Sequence, residues 1–313
     1  MKSLYEQFWN KVKEAQKILL ICHKKPDGDA LGSMCALKIW LNSMEKEVKM
    51  ASIDKPSKKY SFLPYINDVE NKISPDEHDL IIILDCGAHY MTDFHVEYPQ
   101  ILPNSINIDH HASNDNFGSL NIIESDAAST TIILYKIFDY FGICIDPDMA
   151  TCLMTGLYND TGSFMHSNTS GEVFTVASEL LRSGAKLPKM IKSLFKTNSV
   201  ETLRSWGKVF LNSRVTDENY LVSVVKEEDV KDGGDIDQLS GAIDYLNMVP
   251  NVNFSLLLKE DRERIKGSLR TRKDNVNLAE IAKKYGGGGH PKAAGFSIPK
   301  IEFQKLSSRS LNL

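Results

Sequence analysis

The sequence has no apolar run near the ~18–20 residues that a membrane-spanning helix needs. Its N-terminus sets Glu6 and Glu14 among lysines in an amphipathic helical pattern, not in the order of a signal peptide. Cysteine is scarce: Cys22, Cys35, Cys86, Cys144 and Cys152 are the five in 313 residues, and no two form a C-x-x-C pair. The odd count argues against a complete disulfide framework and for a reducing compartment, with Cys22 and Cys86 read as buried thiols. An excess of positive charge is also missing, since 37 Lys and Arg face 41 Asp and Glu for a net charge of −4. That excludes a protein that coats long nucleic acid by bulk charge, though not a local basic pocket. There is no internal repeat and no low-complexity tract. These absences predict a cytoplasmic protein with no membrane partner. What is present, 42% hydrophobic and 25% charged residues, is ordinary for a globular chain, and the length suits two domains.

The pattern along the chain predicts an α/β fold. Helical spacing in Leu4–Ala15 gives way to a short buried strand, Ile18–Cys22, then a loop and a helix at Ala30–Leu41. Val48–Ile53, Leu80–Leu84, Ser105–Ile108 and Leu120–Ile123 read as further strands, with room between them for helices or long loops. Short all-apolar strands of this kind form a parallel sheet covered on both faces. Helices are expected near Ala128–Phe141, Asp148–Tyr158, Ser170–Ser183 and Leu187–Phe195. Residues 198–213 read as a connector helix without motifs. Residues 214–313 then read as a smaller α+β domain, with a hairpin turn at Asp217–Asn219 and a second at Lys259–Glu263. The expected layout is a domain over 1–197, the connector, and the smaller domain, with a cleft between the two domains.

Three predicted strand ends finish in acidic or imidazole side chains: His23-x-x-x-Asp27-x-Asp29, Asp85, and Asp109-His110-His111. Ligands bind at the carboxyl ends of parallel strands. Carboxylates gathered there repel one another unless a cation sits between them. With Asp160, the set His23, Asp27, Asp29, Asp85, His110 and Asp160 offers two imidazoles, four carboxylates and no thiolate. Such donors suit Mn²⁺, or Mg²⁺, better than structural zinc, and their number fits two metals sharing one carboxylate. Gly32, just inside the following helix, is expected to let a metal or phosphate approach. In the smaller domain, Asp261–Lys273 carries six basic residues against two acidic. The run Gly286–Gly289 before His290 reads as a backbone cradle for an anion, with a flexible loop as the competing reading.

The quoted motifs together resemble a known family. His23-Lys-Lys-Pro26-Asp27-Gly28-Asp29-Ala30-Leu-Gly32-Ser33, Leu84-Asp85-Cys86-Gly87, Asp109-His110-His111 and Asn159-Asp160-Thr161-Gly162-Ser163-Phe164 resemble, in order, four motifs of the DHH phosphoesterases. Ser268-Leu269-Arg270 and Gly286–His290 with Ala293-Ala294-Gly295-Phe296 resemble the DHH-associated C-terminal domain, and the layout is closest to the nanoRNase/pAp phosphatase subfamily. Asn159 departs from the frequent Thr or Ser at its place. The resemblance implies that His23, Asp27 and Asp85 hold one Mn²⁺ and that Asp29, Asp85, His110 and Asp160 hold a second. Asp85 would bridge them, and His111 would face the phosphate. Asp109 is expected behind the ligands, orienting a ligand imidazole. Arg270, Gly287, Gly288, Gly289 and His290 would contact the substrate's nucleotide side. The implied substrates are short RNA or DNA oligonucleotides and 3′-phosphoadenosine 5′-phosphate (pAp), and a homodimer is compatible with the layout. Cyclic or linear dinucleotides remain an alternative substrate class. His78, His89 and His95 have no motif around them, and His166 reads as a surface residue.

Overall fold

The computed structural model describes residues 1–195, 199–230, 239 and 241–301. The chain divides into two compact units, Met1–Thr197 and Asn198–Leu313. In the first unit, helix α1 (Lys2–Glu14) leads into strand β1 (Lys17–Cys22), helix α2 (Gly28–Ser43) and strands β2 (Glu47–Ala51) and β3 (Val69–Glu70). Strands β4 (Leu80–Leu84), β5 (Ser105–Asp109) and β6 (Leu120–Ile123) follow, then helices α3 (Thr130–Tyr140), α4 (Pro147–Asp160), α5 (Gly171–Arg182) and α6 (Leu187–Phe195). The six strands pair in the order β3-β2-β1-β4-β5-β6, all parallel. The chain therefore moves outward from β1 in one direction and returns to β4 on the other side. The crevice at such a switch point is where open α/β sheets hold their ligands.

Alternation along the strands splits the core. Ile18, Leu20 and Cys22 join Ile82, Leu84, Ile106 and Ile108 in a cluster with residues of α1 to α5. Leu19, Ile21, Ile81 and Ile83 face the other way, onto Cys86, Phe94 and Ile101. That second face is covered by 3₁₀ turns and loops in place of long helices. Helix α2 is buried almost all round because it lies between the sheet and α4.

The second unit begins with helix α7 (Val200–Leu211) and strands β7 (Arg214–Val215) and β8 (Leu221–Val225). Helix α8 (Ala242–Leu246), strands β9 (Ser255–Asp261) and β10 (Arg264–Arg270), helix α9 (Leu278–Lys283), and strands β11 (Gly288–His290) and β12 (Ala293–Pro299) complete it. The strand order is β11-β12-β10-β9-β8-β7, mixed in direction. Helix α7 belongs to this unit's core: Val209 packs with Leu221, Val225 and Leu257, and its carbonyl accepts from Ser223 Oγ at 2.7 Å. The β9–β10 turn is tighter than the sequence suggests. Asp261 pairs directly with Arg264, and Arg262 takes a positive φ of 53°.

Candidate metal centre

His23 follows β1 directly, and its Nδ1 donates to the Lys24 carbonyl at 2.7 Å. That leaves Nε2 facing Asp85 Oδ2 at 3.5 Å and Asp27 Oδ1 at 3.9 Å. Asp27 caps α2: its Oδ1 accepts from the Asp29 and Ala30 amides at 2.9 and 3.2 Å. Asn159 donates to its other oxygen at 3.2 Å. Asp85, the first residue after β4, is buried with φ at 56°. A left-handed non-glycine residue costs roughly 1–2 kcal/mol, so the surrounding structure must hold it there. Its amide donates to the Ile108 carbonyl at 3.0 Å, and Thr130 Oγ1 donates to Oδ1 at 3.2 Å.

His110 mirrors His23. Its Nδ1 donates to the Ala127 carbonyl at 3.3 Å, and Nε2 lies 3.1 Å from Asp160 Oδ2, 3.7 Å from Asp85 Oδ1 and 4.0 Å from Asp29 Oδ2. Asp160 is the last residue of α4. Asp29 accepts from the Thr130 amide at 2.6 Å and from the Thr131 amide and hydroxyl at 3.0 and 2.9 Å. Its buried carboxyl group thus sits on the N-terminal turn of α3, where the helix dipole favours negative charge. Ser129 caps the same helix end.

Three groups of potential ligand atoms result, each within 4.8 Å: His23, Asp27 and Asp85; Asp29, His110 and Asp160; and Asp85, His110 and His111. Asp85 stands between the first two groups, one oxygen toward His23 and the other toward His110.

The electrostatics call for positive charge. Burial, reinforced by Asp160 and Asp85, pushes Asp29 well above the usual carboxylate range. Burial also raises Asp160, against the opposing pull of His110. Burial works against charged imidazoles, yet Asp27 and Asp85 outweigh it and push His23 up to about 12. Asp160 and its neighbours push His110 up to about 11 in the same way. Burial would raise Asp27, but His23 and two backbone amides bring it down to about 2. Without a cation, protons collect on His23, His110, Asp29 and Asp160, and divalent ions would do the same work with oxygen and nitrogen donors already in place. The donor set therefore fits divalent metal.

Asp109 corrects one expectation. It orients His111, whose Nδ1 donates to Oδ1 at 2.6 Å, and not the imidazole of His110. Asn114 donates to its other oxygen at 2.6 Å. Burial alone would raise Asp109, but the bond from His111 holds it below the ordinary carboxylate value. Burial would lower His111, but Asp109 raises it, favouring the charged, donating form. Gly87 closes on this pair: a Cβ there would lie 2.9 Å from His111 Cβ.

Gly32 is a second correction. Its missing side chain admits α4 and no ligand, because a Cβ would lie 2.4 Å from the Cys152 carbonyl oxygen. Gly156 is equally tight, with a Cβ position 2.4 Å from Asp29 Oδ1 and 2.5 Å from Thr131 Cγ2. The sequence reading missed Ser129, Thr130, Thr131 and Asn114, and it took Asn159 as making no contact with the ligand residues, whereas Asn159 Nδ2 donates to Asp27 Oδ2 at 3.2 Å and to Asp160 Oδ1 at 3.1 Å. Ser129-Thr130-Thr131 was visible as a helix-start signature, but nothing local says which carboxylate it faces.

In the second unit, Arg270 and His290 both flank Ala293 in register, so the three share one face of the sheet. Arg270 Nε donates to Asp244 Oδ1 at 3.2 Å. The glycine run is no open cradle. The Gly286 and Gly287 amides donate to the Lys283 and Ala282 carbonyls at 3.1 and 2.9 Å and close helix α9. The Gly287 amide is thus spent on the helix, while Gly288 and Gly289 run as an exposed edge strand beside β12. Gly289 has φ at 139°, and a Cβ there would lie 2.5 Å from the Ala293 carbonyl oxygen.

Comparison with known proteins finds relatives along nearly the whole chain. Residues 17–157 match the DHH family, N-terminal domain, and residues 217–310 match the DHHA1 domain. The bifunctional oligoribonuclease and PAP phosphatase NrnA of Thermus thermophilus is 30% identical, over 97% of this chain and 94% of its own length. The protein of the same description from Bacillus subtilis is 27% identical, over 90% and 89%. The crystal structure of an exopolyphosphatase-related protein from Bacteroides fragilis superposes with a TM-score of 0.89 at 26% identity, covering 99% of this chain and 96% of that one.

Proposed function

This chain belongs to the DHH family of phosphoesterases, and from that premise we propose that it hydrolyses short oligonucleotides to mononucleotides and pAp to AMP, with Mn²⁺ as its metal. The position of Asp85 carries the reading. One buried carboxylate, held in a strained backbone conformation, faces both histidine-carboxylate groups. That is the requirement for a bridging ligand in a two-metal phosphoryl-transfer site. The relatives that match along nearly the whole chain support the substrate class.

His23, Asp27 and Asp85 would hold one ion, and Asp29, Asp85, His110 and Asp160 the other. Such a pair polarises water and neutralises charge on the phosphoryl oxygens. His111 supplies the protein's own donor. With Nδ1 committed to Asp109, its other ring nitrogen donates to a phosphate oxygen. In the second unit, Arg270, His290, Gly288 and Gly289 border one sheet region with small residues between them, suited to the nucleotide portion.

The test is the purified protein in Mn²⁺ with pAp, a labelled dinucleotide, an RNA of about twenty residues or more, and cyclic di-AMP. Phosphate release from pAp and rapid cleavage of the dinucleotide are expected. The long RNA should react slowly, because a chain without excess positive charge offers few phosphate contacts. Faster turnover of cyclic di-AMP or of the long RNA would overturn the substrate assignment.

A further inference from the structure

We infer that His89 is a second substrate-contacting histidine, binding a phosphate of the substrate other than the one being hydrolysed; this rests on the phosphoesterase reading above. His89 lies outside every recognised motif, yet it repeats the arrangement of His111. His111 Nδ1 donates to Asp109 at 2.6 Å, and His89 Nδ1 donates to Asp115 Oδ2 at 2.7 Å. The two pairs are joined by consecutive residues. Asn114 donates to Asp109, and Asp115 accepts from the His89 ring and, at 3.3 Å, from its amide. One oxygen of Asp109 and one oxygen of Asp115 therefore orient imidazoles, while the other Asp109 oxygen accepts from Asn114.

The segment that carries His89 is fixed on both sides of the metal centre. On one side, Gly87 is packed against His111, and its carbonyl accepts from the Asp115 amide at 3.3 Å. On the other, the Lys24 amide donates to the Met91 carbonyl at 2.9 Å, next to His23. Lys24 Nζ also reaches Asp93 at 3.1 Å. Phe94 is buried in the core below. His89 itself is not buried: 48% of its side chain is exposed, so its ring is presented to solvent from a rigid mount. A carboxylate on one ring nitrogen fixes the direction of the other, and in the protonated imidazole that second nitrogen is a donor, which is the chemistry of phosphate recognition. Both proposed substrate types carry a second phosphate: the 5′-phosphate of pAp, and the neighbouring phosphate of an oligonucleotide.

The experiment compares wild type, His89→Ala, His89→Gln and Asp115→Asn on pAp and on adenosine 3′-monophosphate, which lacks the second phosphate. The kcat/KM preference for pAp over the monophosphate should fall about tenfold in His89→Ala, mostly through the KM for pAp. It should fall by less in Asp115→Asn, which keeps the ring but loosens its orientation. An equal loss on both substrates would assign His89 a structural role and overturn the inference, as would an unchanged preference. Should wild type hydrolyse neither compound, the proposed activity fails, and calorimetry of both compounds decides the inference separately. Wild type must bind pAp more tightly than the monophosphate, and His89→Ala must erase that difference; any other pattern rejects it.

Discussion

Asp109 shows how much one side chain's partner matters. Its position in the third motif does not reveal which imidazole it holds, and the structure assigns it to His111. Asp109→Asn should therefore act through His111. We expect kcat to fall by about 10²–10⁴, the usual range for a lost acid-base or donor group, with metal content unchanged by elemental analysis. A loss of metal in this variant would place Asp109 behind a ligand after all. The proton-collecting groups give a second expectation. His23 and His110 titrate far above their unfolded values, and Asp29 and Asp160 are raised as well. The folded metal-free protein thus binds more protons than the unfolded chain above the unfolded histidine value of about 6.5. The stability from His23 and His110 is complete below that value and is lost as pH rises toward about 11 to 12. Chelated protein should therefore melt at lower temperature at pH 9 than at pH 6.5, and Mn²⁺ should flatten the difference. A flat or rising profile for the chelated protein would contradict the charge account. The acidic and imidazole residues of the candidate centre were legible in the sequence because they are chemically distinctive and His23, Asp85 and Asp109-His110 directly follow apolar runs. Thr130 and Thr131 were not, because their contribution is mainly backbone N–H groups whose target is 101 and 102 residues away.

Among the elements, the α2–α4 crossing decides whether the site exists. Asp27 and Asp29 begin α2 and Asp160 ends α4, so the two helices must pass closely for these carboxylates to meet. Gly32 and Gly156 make that approach possible, each leaving no room for a methyl group. Gly156→Ala should cost roughly 1–3 kcal/mol, as overpacking does, and should also displace Asp29. Thermal unfolding and metal content read the two effects. A stable variant with a full metal complement would show that the crossing is looser than described. Both helices and the strands around them were readable from periodicity, and Gly32 was noticed. Its reason was not readable, because a close helix crossing leaves no trace in either helix alone. The glycine run before His290 was legible only in part for a related reason: its first amides terminate α9, and only the register of β11 against β12 shows that the rest is strand.

At the scale of the whole molecule, the chain order of motifs matches their gathering at the end of one parallel sheet. The switch in strand order at β1 and β4 brings His23 and Asp85 together, and β5 adds His110 and His111. The second unit's mixed sheet was legible as a change of pattern near residue 214, while α7 before it proved to be part of that unit's core. No helix among the described residues is long and apolar enough to cross a membrane. The claim on which the account rests is that Asp85 joins two metal sites into one reacting centre. The most direct test is to chelate the purified protein, titrate Mn²⁺ back, and measure bound metal and pAp hydrolysis on the same samples, beside Asp85→Asn. Wild type should bind two ions per chain and gain activity with the second, whereas Asp85→Asn should bind fewer and stay inactive while folded. Full hydrolysis in excess chelator, or two bound ions with full activity in Asp85→Asn, would contradict it.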